Sequence, residues 1–549
     1  MSMQQMLIAM AGAGKDSYWI SLFNYGSATA EDWLGIGFDF DSSDNIYLQV
    51  INWTNSRPFY KLDNDGVLQG NIQQVSSSYK APYGVAVAKE VSHSTYNSGT
   101  PYDALMMAHG TSSYGSVLKL DMSNLGYQEE TGGTYTAWND SGNAICGGAY
   151  RTYIYESQNN KVPVFWGAGT SGYIFRGSFS YNQEGTSSSN STRIYRSNGM
   201  HGWGRCKVYE NSSYRDIRAW NTCAIEEGSD SYGSQPNYSP YIQWFGGYYS
   251  PNNGGGFRGL IMRSNGHNSN GGSSNNKSAF SIDWAQYILP RHANGTVGGT
   301  LLRGGNATDA SHVWTASRQY WNDSNGTRMN SEGVITKHTV SGTLQWVGVL
   351  SDNAGGETGN DFVYFKDCVT DGSGNIYAFG VFGENAWGTP AGDGIVVVKV
   401  NSSGSLDWQR LIYRTDSNYR MAHDAYNGTM KMNSQGSLVM SCSWLGSTYN
   451  SSGATGKHMA MTIKLPADGS ITGTFSSNSN GGTSGNGWVI SASSFNWRTS
   501  TTSGGNNCPS FVSVSMHGNN YNYASAQDMY IRNNGSTYSG PSEWEKKDL

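Results

Sequence analysis

A chain of 549 residues is too long for one compact core of ordinary size, so it is expected to form several domains or one body built from repeats. Charged residues make up only 14% and glycine supplies 72 positions, so the surface has to be solvated by Ser, Thr, Asn and Gly. The net charge of −5, with Lys and Arg scattered singly, offers no phosphate-neutralising face and excludes nucleic acid as a partner.

The 36 Tyr, 18 Trp and 17 Phe supply far more buriable area than a disordered chain carries. Long windows of helical apolar spacing are absent, and Gly, Asn, Ser and Thr interrupt every stretch, so the fold class is expected to be all-β. Residues 1–15 read as an N-terminal arm. Its longest apolar run, 6–11, falls well short of the ~20 residues a membrane span needs, and it lacks the positive region of a secretory signal. Synthesis in a cytoplasm without membrane insertion is the expectation.

Next comes Tyr18-Trp-Ile-Ser-Leu22, which reads as the last strand of a sheet whose earlier strands lie elsewhere in the chain. Two turn signatures then recur. The first is an Asx-rich turn before a strand: Asp41-Ser-Ser-Asp44-Asn45-Ile46-Tyr47, Asn139-Asp-Ser-Gly142-Asn143-Ala-Ile145, Asp371-Gly-Ser-Gly374-Asn375-Ile376-Tyr377 and the looser Asn433-Ser-Gln-Gly436-Ser437-Leu438. The second is a Lys ending an apolar run, a glycine five residues on, and Leu or Ile at seven. It occurs at Lys61/Gly66/Leu68, Lys337/Gly342/Leu344, Lys399/Gly404/Leu406 and Lys464/Gly469/Ile471, with Asn124 replacing Gly after Lys119. Each is a β-hairpin in which one residue takes positive φ. Trp284, Trp346 and Trp408 stand 62 residues apart twice over on the departing strand, and read as packing between repeats.

Residues 150–310 depart most from this period. They hold Gly254–Gly256, the polar run 268–276 and an aromatic cluster. Long inter-strand loops are expected there, with Tyr241, Trp244, Tyr248 and Tyr249 forming an exposed aromatic loop for stacking on a sugar, and with 236–276 on an exposed or interfacial face. Beyond residue 474, Trp488–Ala492 and Phe511–Met516 read as first strands that would join the N-terminal strand in one sheet.

Catalytic chemistry finds little footing. Glu31/Asp32, Glu129/Glu130 and Glu226/Glu227 are adjacent pairs, whose side chains point to opposite faces of a strand. There is no HExxH, Gly-x-Ser-x-Gly or phosphate-loop motif, so neither enzyme nor cofactor is expected. The Asp39/Asp41/Asp44 and Asp63/Asp65 clusters are the oxygen-rich kind that calcium prefers, but hairpin turns select the same residues, and no metal site is assigned. Six widely spaced cysteines without CxxC read as free buried thiols.

The two signatures together, Asp-x-x-Gly-Asn-x-Tyr then Lys-x-x-x-x-Gly-x-Leu-x-Trp, resemble the SBBP-type β-propeller repeat, and 371–408 fits almost position for position. This resemblance implies about seven four-stranded antiparallel blades, six to eight being allowed, over residues 16–549, with the ring closed by N- and C-terminal strands. The opening Met1-Ser-Met-Gln-Gln-Met-Leu-Ile and the repeats also resemble tail- and fibre-associated structural proteins of marine bacteriophages. That resemblance implies a non-enzymatic virion protein, made in a host cytoplasm, assembled with other virion proteins as a homo-oligomer or symmetric assembly and contacting host-surface glycan. The rival expectation is a secreted or surface carbohydrate-active propeller (lyase or hydrolase), or an adhesin.

Overall fold

The computed structural model describes residues 17–24, 33–52, 59–69, 72–74, 80–92, 101–110, 115–120, 122, 127–131, 142–151, 161–169, 173–178, 199–226, 241–251, 256–264, 282–291, 298–301, 306–309, 311–322, 329–351, 363–383, 394–414, 419–421, 428–446, 449–450, 453–454, 457–476, 487–519, 536–538 and 543–549. The 1–15 arm, the turn at Asn139 and the run 268–276 lie outside them. The protein is all-β and antiparallel, with a single short 3₁₀ turn at Gly505–Asn507 among the described residues. No helix in those residues is long and apolar enough to cross a membrane.

The chain lays down meanders one after another. The first is Trp33–Phe40, Ile46–Asn52 and Phe59–Leu62, with Ile72–Gln74 beside the last; the second is Lys80–Val91, Tyr102–Gly110, Gly115–Leu120 and Tyr127–Thr131. The third runs from Gly142–Arg151 to Gly199–Glu210 and the fourth from Ser213–Glu226 to Ile282–Leu289; a two-residue turn joins these eight strands into one sheet, which Ser510–Ser513 and Ser515–Asn519 bring to ten. These two meanders supply the described strands of the region expected to be loop-rich; the connections 179–198, 227–240 and 265–281 lie outside the described residues.

The fifth has a first strand split into Gly298–Leu301 and Asn306–Thr308, then His312–Asn322, Met329–Thr339 and Leu344–Ser351. The sixth is Val363–Thr370, Ile376–Phe382, Gly394–Val400 and Leu406–Arg414. The seventh, Thr429–Met432, Leu438–Gly446 and Lys457–Leu465, takes its fourth strand from the N-terminus: Trp19–Asn24 pairs with Lys457–Leu465, and on its other side with Glu543–Asp548. The orphan strand seen in the sequence has its sheet. First strands pack in order, each on the next meander, and the first and second strands of the seventh pack back on Trp33–Phe40.

Both turn signatures have a physical cause. In the first, one side-chain oxygen accepts the backbone N–H groups two and four residues on: Asp41 from Ser43 and Asn45 at 2.9 and 2.8 Å, Asp371 from Ser373 and Asn375 at 2.9 and 3.0 Å. The second places its glycine against the tryptophan of the preceding meander. Gly66, Gly342, Gly404 and Gly469 have φ of 76°, 88°, 93° and 67°, and face Trp19, Trp284, Trp346 and Trp408 respectively. Each indole donates to a carbonyl of that same turn: Trp19 to Asn64 at 3.2 Å, Trp284 to Val340 at 2.9 Å, Trp346 to Ser402 at 3.2 Å and Trp408 to Ala467 at 3.2 Å. Two residues further along the strand, Ser21, Gln286 and Arg410 donate to the glycine carbonyls of Gly66, Gly342 and Gly469. Glycine, tryptophan and this donor form one joint between neighbouring meanders.

The tail after residue 473 does not supply first strands, because the seventh meander already has its own. Instead it runs back along outer edges. Gly487–Ala492 pairs with Leu406–Arg414, Asn496–Ser500 with Leu344–Ser351, Ser510–Ser513 with Ile282–Leu289, Ser515–Asn519 with Gly199–Glu210, Ser536–Tyr538 with Ile72–Gln74, and Glu543–Asp548 with Trp19–Asn24. Pairing of this kind satisfies backbone groups that an open edge strand would present to other chains.

Candidate functional site

The four aromatic residues expected on an exposed loop are all in one strand, Tyr241–Tyr249, paired on both sides. Tyr248 and Tyr249 are buried, each 1% exposed, and Tyr249 packs edge-on against Tyr287 at 6.2 Å. The side chains of Tyr241 and Trp244 lie outside the described residues. Clustered aromatics with a Gly-Gly pair are what a strand buried on both faces selects, as at 246–249 here.

Beside Tyr248 the exposed aromatic is Phe257, 39% exposed and 5.0 Å from it edge-on; an exposed pair of aromatics lies one hairpin earlier. Gly199–Glu210 and Ser213–Glu226 meet through Asn211 and Ser212, both at positive φ (49° and 60°), as a two-residue hairpin turn requires. Tyr209 and Tyr214 face each other across the strands, 44% and 52% exposed, with ring centroids 5.2 Å apart and tilted by 49°. Two positions further on the same face, Lys207 and Asp216 form a 3.1 Å ion pair. The tail adds exposed Ser515 opposite Tyr209. The opposite face is anchored by Val208 and Ile217, both fully buried. The result is a rigid tip presenting two rings, a compensated ion pair and a hydroxyl: chemistry suited to stacking and hydrogen bonding. The sequence signal was Tyr-Glu-Asn-Ser-Ser-Tyr, two aromatics placed symmetrically about a turn.

A second cluster sits where first strands converge. Asp39 accepts its own neighbour Phe40 N–H at 2.9 Å and Val87 N–H of the next meander at 2.8 Å, and pairs with Lys431 at 2.8 Å. Asp367 repeats the device between the sixth and seventh meanders, accepting Cys368 N–H at 2.8 Å and Met430 N–H at 2.7 Å. Burial pushes the Asp367 carboxyl up to about 7, opposed by those two N–H groups and by Lys431. Cys146 and Cys223 keep partial accessibility although they lie deep between first strands. Burial drives the Cys146 thiol up to about 12, with the Lys431 ammonium opposing, and raises Cys223 and Cys368 as well. Thiols held protonated in this way are poor nucleophiles.

The acidic turns are spent on the fold. Asp41 and Asp371 hold their own turns, and Asp63 does the same for Asp65 and Val67. Asp44 accepts the Ser434 N–H of the seventh meander. Among the described residues no group of three or more His, Cys, Asp or Glu is placed to hold a metal ion. No protein-family model and no curated protein matches the chain.

Proposed function

We propose that the seven meanders are the blades of a seven-bladed β-propeller closed at the seventh by the N-terminal strand, and that the protein is a non-enzymatic structural component of a bacteriophage virion. The cyclic order of first-strand packing and the four repeated Trp–Gly joints support the propeller. In this reading the chain is a rigid assembly scaffold at the tail, in a fibre or on the capsid exterior, bound to other virion proteins in a homo-oligomer or symmetric assembly. The observation that carries the non-catalytic role is the use of the charged groups. Turn aspartates hold backbone N–H groups, and the inner Asp39 and Asp367 fasten one meander to the next. Tyr209 and Tyr214 are the residues this reading assigns to host-surface glycan, in place of Tyr248 and Tyr249.

Stoichiometry in the native particle tests it. Intact mass spectrometry combined with electron microscopy is expected to find this chain as a fixed multiple on a tail or capsid. A free monomer that degrades polysaccharide would overturn the proposal.

A further inference from the structure

The tail is more than a passive edge cover at one place. Where it crosses the fifth and sixth meanders the repeated joint lacks its usual donor, because Gly348 stands at the position held elsewhere by Ser21, Gln286 and Arg410. The tail fills this gap. The Trp497 indole lies where a side chain at Gly348 would be and donates to the Gly404 carbonyl at 2.9 Å. Gln409 donates through one amide nitrogen to the Ser493 and Phe495 carbonyls at 3.0 and 2.9 Å, and Phe495 packs edge-on against Phe382 at 5.6 Å. Arg498 forms a two-pronged pair with Glu332, at 2.8 and 2.5 Å.

Glu332 decides what this edge demands. It is 5% exposed, and besides Arg498 its hydrogen-bond donor is Gln319. A buried carboxylate without its cation is costly, so this edge requires a guanidinium. The slot floored by Gly348 requires an indole, and Gln409 reads two main-chain carbonyls, those of Ser493 and Phe495, in the segment that leads into Asn496–Ser500. Meanwhile the tail's Asn496–Ser500 is only half-buried or exposed, whereas its partner strand Leu344–Ser351 is mostly buried. Its register covers five residue pairs. A segment held at the periphery by few residues opens at lower free energy than the strands beneath it.

We infer that the outer edge of the fifth and sixth meanders is a sequence-selective acceptor for an extended Phe-x-Trp-Arg peptide, recognised by strand addition. Its resident ligand is this chain's own 493–498, and the C-terminal segment of a second copy fits it equally, which makes the tail the element able to link copies. The inference rests on the observed strand pairing and not on the virion reading, so either can fail alone.

The test uses the full-length chain. A fluorescent peptide of residues 487–502 is titrated into wild type and into the Trp497→Ala/Arg498→Ala variant. Saturable binding to the folded variant is expected, weaker by about tenfold or more in wild type where the resident strand competes, and lost for a peptide carrying the same two substitutions. No binding to a folded variant, or equal binding of both peptides, overturns the inference. Should the variant not fold, hydrogen exchange of wild type decides. Amides of 489–500 are expected to exchange about tenfold or more ahead of those in 344–351 and 406–414, and equal protection overturns it.

Discussion

Two glycines of the seventh meander separate backbone strain from packing. Gly436 has φ of 81°, and a Cβ there would meet nothing within 4 Å; Gly469 has φ of 67°, and its Cβ would lie 2.7 Å from Trp408 Cδ2 and 2.8 Å from Cε2. Gly436→Ala therefore carries the left-handed penalty alone, about 1 kcal/mol. Gly469→Ala carries the same penalty plus overpacking of roughly 1–3 kcal/mol against an indole that cannot retreat without losing its 3.2 Å bond to Ala467. A total of about 3 kcal/mol follows, some 2 kcal/mol beyond Gly436→Ala. Because so large a chain need not unfold in two states, the assay is hydrogen exchange resolved to 406–414 and 457–476, where 2 kcal/mol reads as about thirtyfold faster opening. In a Trp408→Ala background the excess should vanish, leaving Gly469→Ala at about 1 kcal/mol. Equal effects of the two alanines, or an excess that survives removal of Trp408, would refute the joint.

Stability should respond to pH in two opposed ways. Asp367, raised to about 7, binds a proton more tightly folded than unfolded, so its contribution is lost as pH rises from about 4 through 7; Asp367→Asn should gain on wild type between pH 5 and 8 in urea midpoints. His338 is lowered to about 3 by burial, with Thr336 3.5 Å away and the Phe511 ring against it, so its contribution is lost as pH falls from 6.5 toward 3. His338→Gln should then gain on wild type at pH 4 relative to pH 7. Tyr209→Ala and Tyr214→Ala should each change stability by less than about 1 kcal/mol while abolishing retention on immobilised host glycan; retention unchanged in the double variant removes that assignment. Peptide-level alkylation of the native protein at pH 8 should leave Cys146, Cys223, Cys368 and Cys442 largely unmodified, and rapid labelling of any of them contradicts their protonated state.

Turns were the most legible level of the sequence because their chemistry is local. A left-handed glycine or an Asx oxygen serving the N–H groups two and four residues on leaves a fixed pattern, and Gly66, Gly342, Gly404 and Gly469 were all found by it. Spacing of the tryptophans marked them as packing between repeats, but their partner, the next glycine, was invisible because the two are joined only across meanders. The aromatic cluster misled for a related reason: Tyr241–Tyr249 is a strand between two neighbours, and such a strand looks like a sticky loop when read alone.

The tail shows most clearly where local reading stops. Trp488–Ala492 and Phe511–Met516 are recognisable as strand-forming runs, yet strand propensity carries no address, and edge strands and first strands use the same residues. What distinguishes them is the site that receives them. Gly348 gives up the donor that the same joint keeps at Ser21, Gln286 and Arg410, and Glu332 is a carboxylate placed where the fifth meander alone gives it only Gln319. Each is a local defect in an otherwise regular repeat, and both are repaired by consecutive residues, Trp497 and Arg498. A repeat that breaks its own rule at two neighbouring points, and is completed by one short segment from outside the repeat, has been shaped around that segment. The position of such lapses, more than the strength of any motif, tells where a repeat-built protein meets another piece of chain.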